Sequence, residues 1–232
     1  MTMIADNLHR VQARIGSAAQ ASGRNPSSVA LLAVSKTFPA EAVREAYAAG
    51  QHAFGENYIQ EAVDKITALA DLRSELQWHC IGPIQSNKTR SVAEHFDWVH
   101  TVDRLKIAQR LSDQRPGHLP LLQVCIQVNV DGGPTKSGVA PGEALALARA
   151  VAVLPRMQLR GLMCIPEPAP DFEAACEVFA RARALFDALN AQGLALDTLS
   201  MGMSADLEAA IHSGSTLVRV GSAIFGVRDY AR

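Results

Sequence analysis

Eight short apolar runs of strand length, all but the last followed by a stretch with helical spacing, constrain this chain more than any other feature. They lie at residues 30–36, near 52–54, and at 77–82, 97–101, 121–130, 157–164, 196–201 and 216–220, with only a short tail after the last. Continuous apolar runs suit strands buried on both faces, as helices packed on a parallel sheet require. The clearest intervening helix is 172–189, where Phe172, Cys176, Phe179, Ala182, Phe186 and Leu189 share one stripe and Glu173, Glu177, Arg181 and Asn190 lie off it. An opening helix over 3–22 precedes the first strand and closes at Gly23, and Thr37 is placed to cap a helix over 39–49. This order predicts an α/β fold, a (β/α)8 TIM barrel preceded by an N-terminal helix; a doubly wound open sheet carries the same local signals. At 232 residues with 48% hydrophobic content and no Gly/Ser linker, residues 1–232 read as a single domain.

Charge removes several partners from consideration. The formal net charge is -1, with 22 Lys plus Arg against 23 Asp plus Glu and no long run of one sign, so neither a nucleic acid nor a membrane surface is expected. Cys80, Cys125, Cys164 and Cys176 contain no C-x-x-C pair, and the first three fall in strand-like runs, which suggests a reducing compartment and no metal centre. With no basic leader and no unbroken apolar segment of roughly 18 residues, a soluble cytoplasmic protein is expected.

The first strand, Leu31-Leu32-Ala33-Val34-Ser35, stops on Lys36. Alone, such a lysine is ordinarily a solvated gatekeeper, but it sits at a carboxyl strand end, the edge where parallel barrels bind ligands. After the seventh and eighth strands come Met201-Gly202-Met203-Ser204 and Gly221-Ser222-Ala223-Ile224-Phe225-Gly226. Small residues there let backbone N–H groups approach a dianion, Ser204 and Ser222 add hydroxyl donors, and a helix starting after Ser204 adds its positive end. Asp206, in the first turn of that helix, opposes a phosphate unless it points away. Arg219 interrupts the last apolar run, and a buried guanidinium needs a partner, either an acidic residue or a ligand. Lysine, phosphate cup and inward arginine together fit pyridoxal 5′-phosphate. A Schiff base on Lys36 needs a neutral amine, hence a pKa brought down from ~10.4. An arginine facing the pyridine nitrogen would leave it unprotonated and weaken the cofactor as an electron sink.

Ala33-Val34-Ser35-Lys36-Thr37, Phe54-Gly55-Glu56-Asn57-Tyr58, Trp78-His79-Cys80-Ile81-Gly82, Gln85-Ser86-Asn87-Lys88, Gly161-Leu162-Met163, Met201-Gly202-Met203-Ser204 and Arg219-Val220-Gly221-Ser222 occur in order over nearly the whole chain. In these motifs it resembles the pyridoxal phosphate homeostasis protein family, which has the fold type III barrel of the alanine racemase N-terminal domain without the racemase's C-terminal β domain. The resemblance implies that Lys36 carries the cofactor aldimine, that Ser204, Gly221 and Ser222 bind its phosphate, and that Arg219 faces the ring nitrogen. Asn57 and His79 match family motifs at the ends of strands two and three and are candidates to line the cofactor pocket. Lys136 also sits in a family-like segment, where a solvated loop lysine is the default. Where some relatives carry a second lysine two positions after the first, this chain has Phe38.

The function so implied is to hold pyridoxal phosphate and to buffer or deliver it, with PLP-dependent apo-enzymes as recipients, no established turnover and no need for a dimer. An amino-acid racemase is the alternative; it needs a second base, and Tyr47, Tyr58 and Tyr230 are the only tyrosines, of which Tyr58 alone stands on the ligand side. A cofactor-free Schiff-base aldolase is permitted by the lysine and the cup alone.

Overall fold

The computed structural model describes residues 2–133 and 137–226, so Lys136 and Tyr230 lie outside the described residues. Its strands are β1 (Ala30–Val34), β2 (Ala53–Glu56), β3 (Gln77–Cys80), β4 (Trp98–Val102), β5 (Leu122–Gln127), β6 (Met157–Met163), β7 (Thr198–Ser200) and β8 (Leu217–Val220). They close into a barrel in chain order, and every pairing is parallel. β1 pairs with β8, Ala33 opposite Val220, so the first and last strands meet at one seam. The open-sheet alternative is thereby excluded.

The helices are α1 (Met3–Ala21), α2 (Ala40–Ala48), α3 (Ile59–Ala68), α4 (Thr89–His95), α5 (Leu105–Gln114), α6 (Ala144–Ala152), α7 (Phe172–Ala191), α8 (Leu207–His212) and α9 (Ser222–Phe225). No helix is long and apolar enough to cross a membrane among the described residues. Helix α1 buries Ile4, Leu8, Val11 and Ile15 and has Thr2 as its cap, the hydroxyl accepting from Ala5 N–H. It also bonds directly to the far end of the chain. Asn7 donates to the Ile224 carbonyl at 2.9 Å, and Arg14 donates to the Ser204 carbonyl at 3.2 Å while pairing with Glu208.

The alternation of a strand divides the core. Ala33 packs outward with the helices in the main apolar layer, whereas Leu32 and Val34 point inward and meet Ile81 and Leu217. The interior also holds buried polar groups, His79, His100, Ser200 and Arg219. At Gly161 the β6 backbone lies so close to β7 that an added Cβ would stand 1.6 Å from the Thr198 carbonyl oxygen. Gly161→Ala therefore has to push two paired strands apart, and a urea titration is expected to show a loss of about 3 kcal/mol.

Three local expectations are corrected. Thr37 does not cap α2: Pro39 holds the cap position without a side-chain bond, and Thr37 has φ 68, the one non-glycine residue in the left-handed region among those described. The helix after Ser204 starts at Leu207, a turn later than the motif suggests, and past β8 the chain forms the single turn α9 instead of a plain tail.

Candidate functional site

A cavity of about 460 Å³ opens at the carboxyl ends of the strands. Its wall contains Lys36 after β1, Asn57 after β2, Ser204 after β7, and Arg219, Gly221 and Ser222 at the end of β8. Six of the seven sequence candidates are thus brought together, and His79 is not in the wall. Gly82 is what allows Asn57 its place, since a Cβ there would fall 2.1 Å from the Asn57 carbonyl oxygen. Asn57 Oδ1 is buried and has no hydrogen-bond partner among the described residues, an acceptor left unsatisfied in a residue of the cavity wall.

The cup of small residues lies across the seam from Lys36. Gly221 packs on Val34, where an added Cβ would come within 3.1 Å of the Val34 carbonyl oxygen. Gly202 has φ +94. The N–H groups of Ser204 and Ala205 make no backbone hydrogen bond among the described residues. Ser222 and Ala223 open a helical turn, whose first N–H groups have no intrahelical acceptor. Asp206, the residue that spoke against an anion here, has an occupied carboxylate: Oδ1 accepts the Met203 N–H at 2.6 Å, so it closes the loop.

Arg219 is buried without an ion pair among the described residues. Its Nη1 donates to Ser200 Oγ at 2.7 Å and its Nη2 to the Cys164 carbonyl at 2.9 Å. Burial lowers its pKa from the ordinary value. Ser200 in turn lies 2.9 Å from His100 Nδ1, and His100 Nε2 lies 2.9 Å from His79 Nδ1. Since Ser200 Oγ already accepts from Arg219, its own proton is available to His100 Nδ1, and His100 then donates from Nε2 to His79 Nδ1, with both imidazoles neutral. Burial agrees with this, bringing the His79 pKa down to about 3 and pushing His100 well below its usual value, with the charges of His79 and Arg219 adding to the second shift. His79 therefore stands behind the wall, stacked on Trp98 with its Nε2 unpaired, and reaches Arg219 only through two intermediaries.

Comparison with known proteins decides the family. The model for the alanine racemase N-terminal domain matches residues 6–229. A Pseudomonas aeruginosa protein named Pyridoxal phosphate homeostasis protein is 64% identical over 230 residues, covering 99% of this chain and 98% of that one. The chain belongs to the pyridoxal phosphate homeostasis protein family. An Escherichia coli member of the same name is 54% identical over the full length of both chains. Among solved structures, PipY of Synechococcus elongatus, determined with PLP bound, is 39% identical with a TM-score of 0.83, covering 96% of this chain and all of that one.

Several features of the site were given no role in the sequence reading. Ser200 and His100 read as ordinary strand residues, because the bond between them joins positions 100 apart. Glu56 and Lys65, which meet beside Lys36, look like a strand end and a solvated helix face. The signal that exposes both sets is the same: a polar residue at a position whose strand or helix period calls for burial.

Proposed function

We propose that this protein holds pyridoxal 5′-phosphate in the cavity at the carboxyl end of the barrel and keeps the cofactor's free level and delivery in balance, without turning over a substrate. The observation that carries this reading is the meeting of Lys36, the small-residue cup and a buried arginine without an acidic partner in one cavity wall. Relatives that share the chain end to end bear the homeostasis name, and PipY has been seen with the cofactor.

The residues fit the group. Lys36 would hold the group through its side-chain amine, the one lysine amine in the cavity wall among the described residues that could condense with an aldehyde, with loss of one water. Ser204, Gly221 and Ser222 offer hydroxyls and backbone N–H groups to the phosphate. Arg219 directs N–H donors towards the ring nitrogen, and the open acceptor on Asn57 takes a ligand donor. His79 works at a distance, holding His100 against Ser200 and so Arg219 in place. When bound, the cofactor supplies an electron sink, which a donor at the ring nitrogen keeps weak. Ring orientation and phosphate grip are what the chain contributes.

A racemase needs a second base, and Tyr58 is 55% exposed and outside the cavity wall. Tyr47 packs edge-on against His52. The reading extends to a single-domain monomer working in the cytoplasm, its four thiols unpaired, with apo-enzymes as cofactor recipients and no nucleic acid or membrane partner.

The test is an absorption spectrum of the purified protein with added pyridoxal phosphate, before and after borohydride, followed by mass mapping. A yellow band that reduces to one pyridoxyl group on Lys36, without racemisation of alanine in a chiral assay, is the expected result. A protein that stays colourless at millimolar cofactor rejects the proposal.

A further inference from the structure

Lys36 lies between two residues held by one charged cluster. Ser35 Oγ donates to Glu56 Oε1 at 2.6 Å, and the Lys65 ammonium donates to the Ser35 carbonyl at 2.9 Å. On the other side, the Thr37 N–H donates to Glu61 Oε1 at 2.6 Å. Lys65 joins the two grips, because the same ammonium also donates to Glu56 Oε1 and, at 3.1 Å, to Glu61 Oε1. Its three protons have three acceptors, all within this cluster. The carboxylates come from the end of β2 and the first turn of α3, the lysine from the last turn of α3, and none of the three lines the cavity.

Stability does not account for this arrangement. Lys65 and Glu56 are both buried, and Glu56 Oε2 has no partner at all. A buried ion pair with an orphaned oxygen stabilises a fold less than apolar residues of the same volume would. Meanwhile Thr37 adopts φ 68, a left-handed conformation that is costly for a threonine and persists only where its surroundings impose it. The turn closed by the Phe38 N–H on the Ser35 carbonyl at 3.1 Å and the bond of the Thr37 N–H to Glu61 hold it there together. Strain at one neighbour of Lys36 and a buried charge at the other are both explained if the segment has to present its middle residue in one direction.

We propose that Glu56, Lys65 and Glu61 form a positioning clamp that fixes the backbone on both sides of Lys36 and so aims its amine at the cofactor aldehyde. This rests on Lys36 being the attachment point. The clamp acts on the step in which the amine nitrogen bonds to the aldehyde carbon and water departs, and it has no contact with the phosphate loops. Its loss slows attachment while leaving reversible binding of a cofactor without an aldehyde intact.

Glu61 is the residue to change, since it is partly exposed and its removal leaves the buried Glu56–Lys65 pair in place. In Glu61→Ala the rate at which pyridoxal phosphate becomes borohydride-trappable on Lys36 is expected to fall by about tenfold to a hundredfold. Affinity for pyridoxine 5′-phosphate, which has the ring and phosphate but no aldehyde, is expected to stay within about twofold by calorimetry. Glu61→Gln keeps an acceptor oxygen for Thr37 and is expected to recover most of the rate. If Glu61→Ala does not fold, Glu61→Asp, with its acceptor withdrawn by one methylene, takes its place with the same expected split. Attachment at the wild-type rate overturns the clamp, as does a parallel loss of pyridoxine phosphate binding or a glutamine variant as slow as alanine. Absence of any Lys36 adduct in the wild-type protein overturns instead the reading on which the clamp rests.

Discussion

Replacing Lys36 by alanine is expected to abolish covalent capture of pyridoxal 5′-phosphate completely, with no other lysine taking over. Lys65 bonds to the residue next to Lys36, but each of its protons is already given to the Ser35 carbonyl, Glu56 or Glu61. Lys36 is the one lysine in the wall of the cavity among the described residues. The cup and Arg219 remain, so Lys36→Ala should still take up the cofactor reversibly, at an affinity lower by roughly a hundredfold or more, which corresponds to at least about 2.7 kcal/mol. Mass mapping after borohydride checks the first statement and equilibrium dialysis the second. A pyridoxyl group appearing elsewhere in Lys36→Ala at the wild-type yield would show that the cavity does not select the amine.

Acid should destabilise this barrel well before its carboxylates titrate. His79 has a folded-state pKa of about 3 against an ordinary 6.5, because its ring is fully desolvated inside the barrel. A group with a depressed folded-state pKa contributes stability that is fully present above the unfolded value and is lost as pH falls towards the folded one. At about 1.36 kcal/mol per pH unit, His79 alone removes about 2.7 kcal/mol between pH 6.5 and 4.5. His100 is shifted in the same direction and steepens the loss. Glu56 works the other way, since burial raises its pKa and a raised carboxyl adds stability as pH falls. The difference between wild type and a His79→Gln/His100→Gln double variant isolates the imidazoles. Urea midpoints measured from pH 7 to 4.5 should fall steeply for the wild type and much less for the double variant. Parallel slopes would mean that the two rings are charged inside the fold.

Much of the architecture was open to reading because the barrel's demands are local. A strand buried on both faces has to be apolar on consecutive residues, and Leu31-Leu32-Ala33-Val34 or Leu122 to Gln127 cannot easily be anything else. The cup was visible for a related reason: glycine and serine gather where a backbone must come close to something, and Gly221 does come close to Val34. What stayed hidden depends on pairings across the barrel. His100 looks like a residue in passing within Trp98-Val99-His100-Thr101, and only closure brings it to Ser200. Asp206 looked like an obstacle because its charge is evident in the sequence, whereas the Met203 N–H that occupies it is a property of the loop. Thr37 was misread for the opposite reason. Threonine before a helix is a common cap, and nothing local announces that Glu61, 24 positions on, turns its backbone left-handed.

The seam between β1 and β8 gives the site a history as well as a shape. A chain leaving the ribosome exposes its lysine early, with the first strand, but the loops opposite are among the last parts to be made. Until the final strand docks beside the first, a nascent barrel has an amine and nothing to hold a phosphate against it. Once the ring is complete the relation reverses: with Lys36 as the proposed attachment point, a ligand bonded to one side of the join and gripped by the other would act as a staple across it, stabilising the closed form in proportion to its own affinity. Parting these two strands by a local opening would loosen the grip on the phosphate side, and release would then need one water to return across the C=N bond, restoring the Lys36 amine and the free aldehyde.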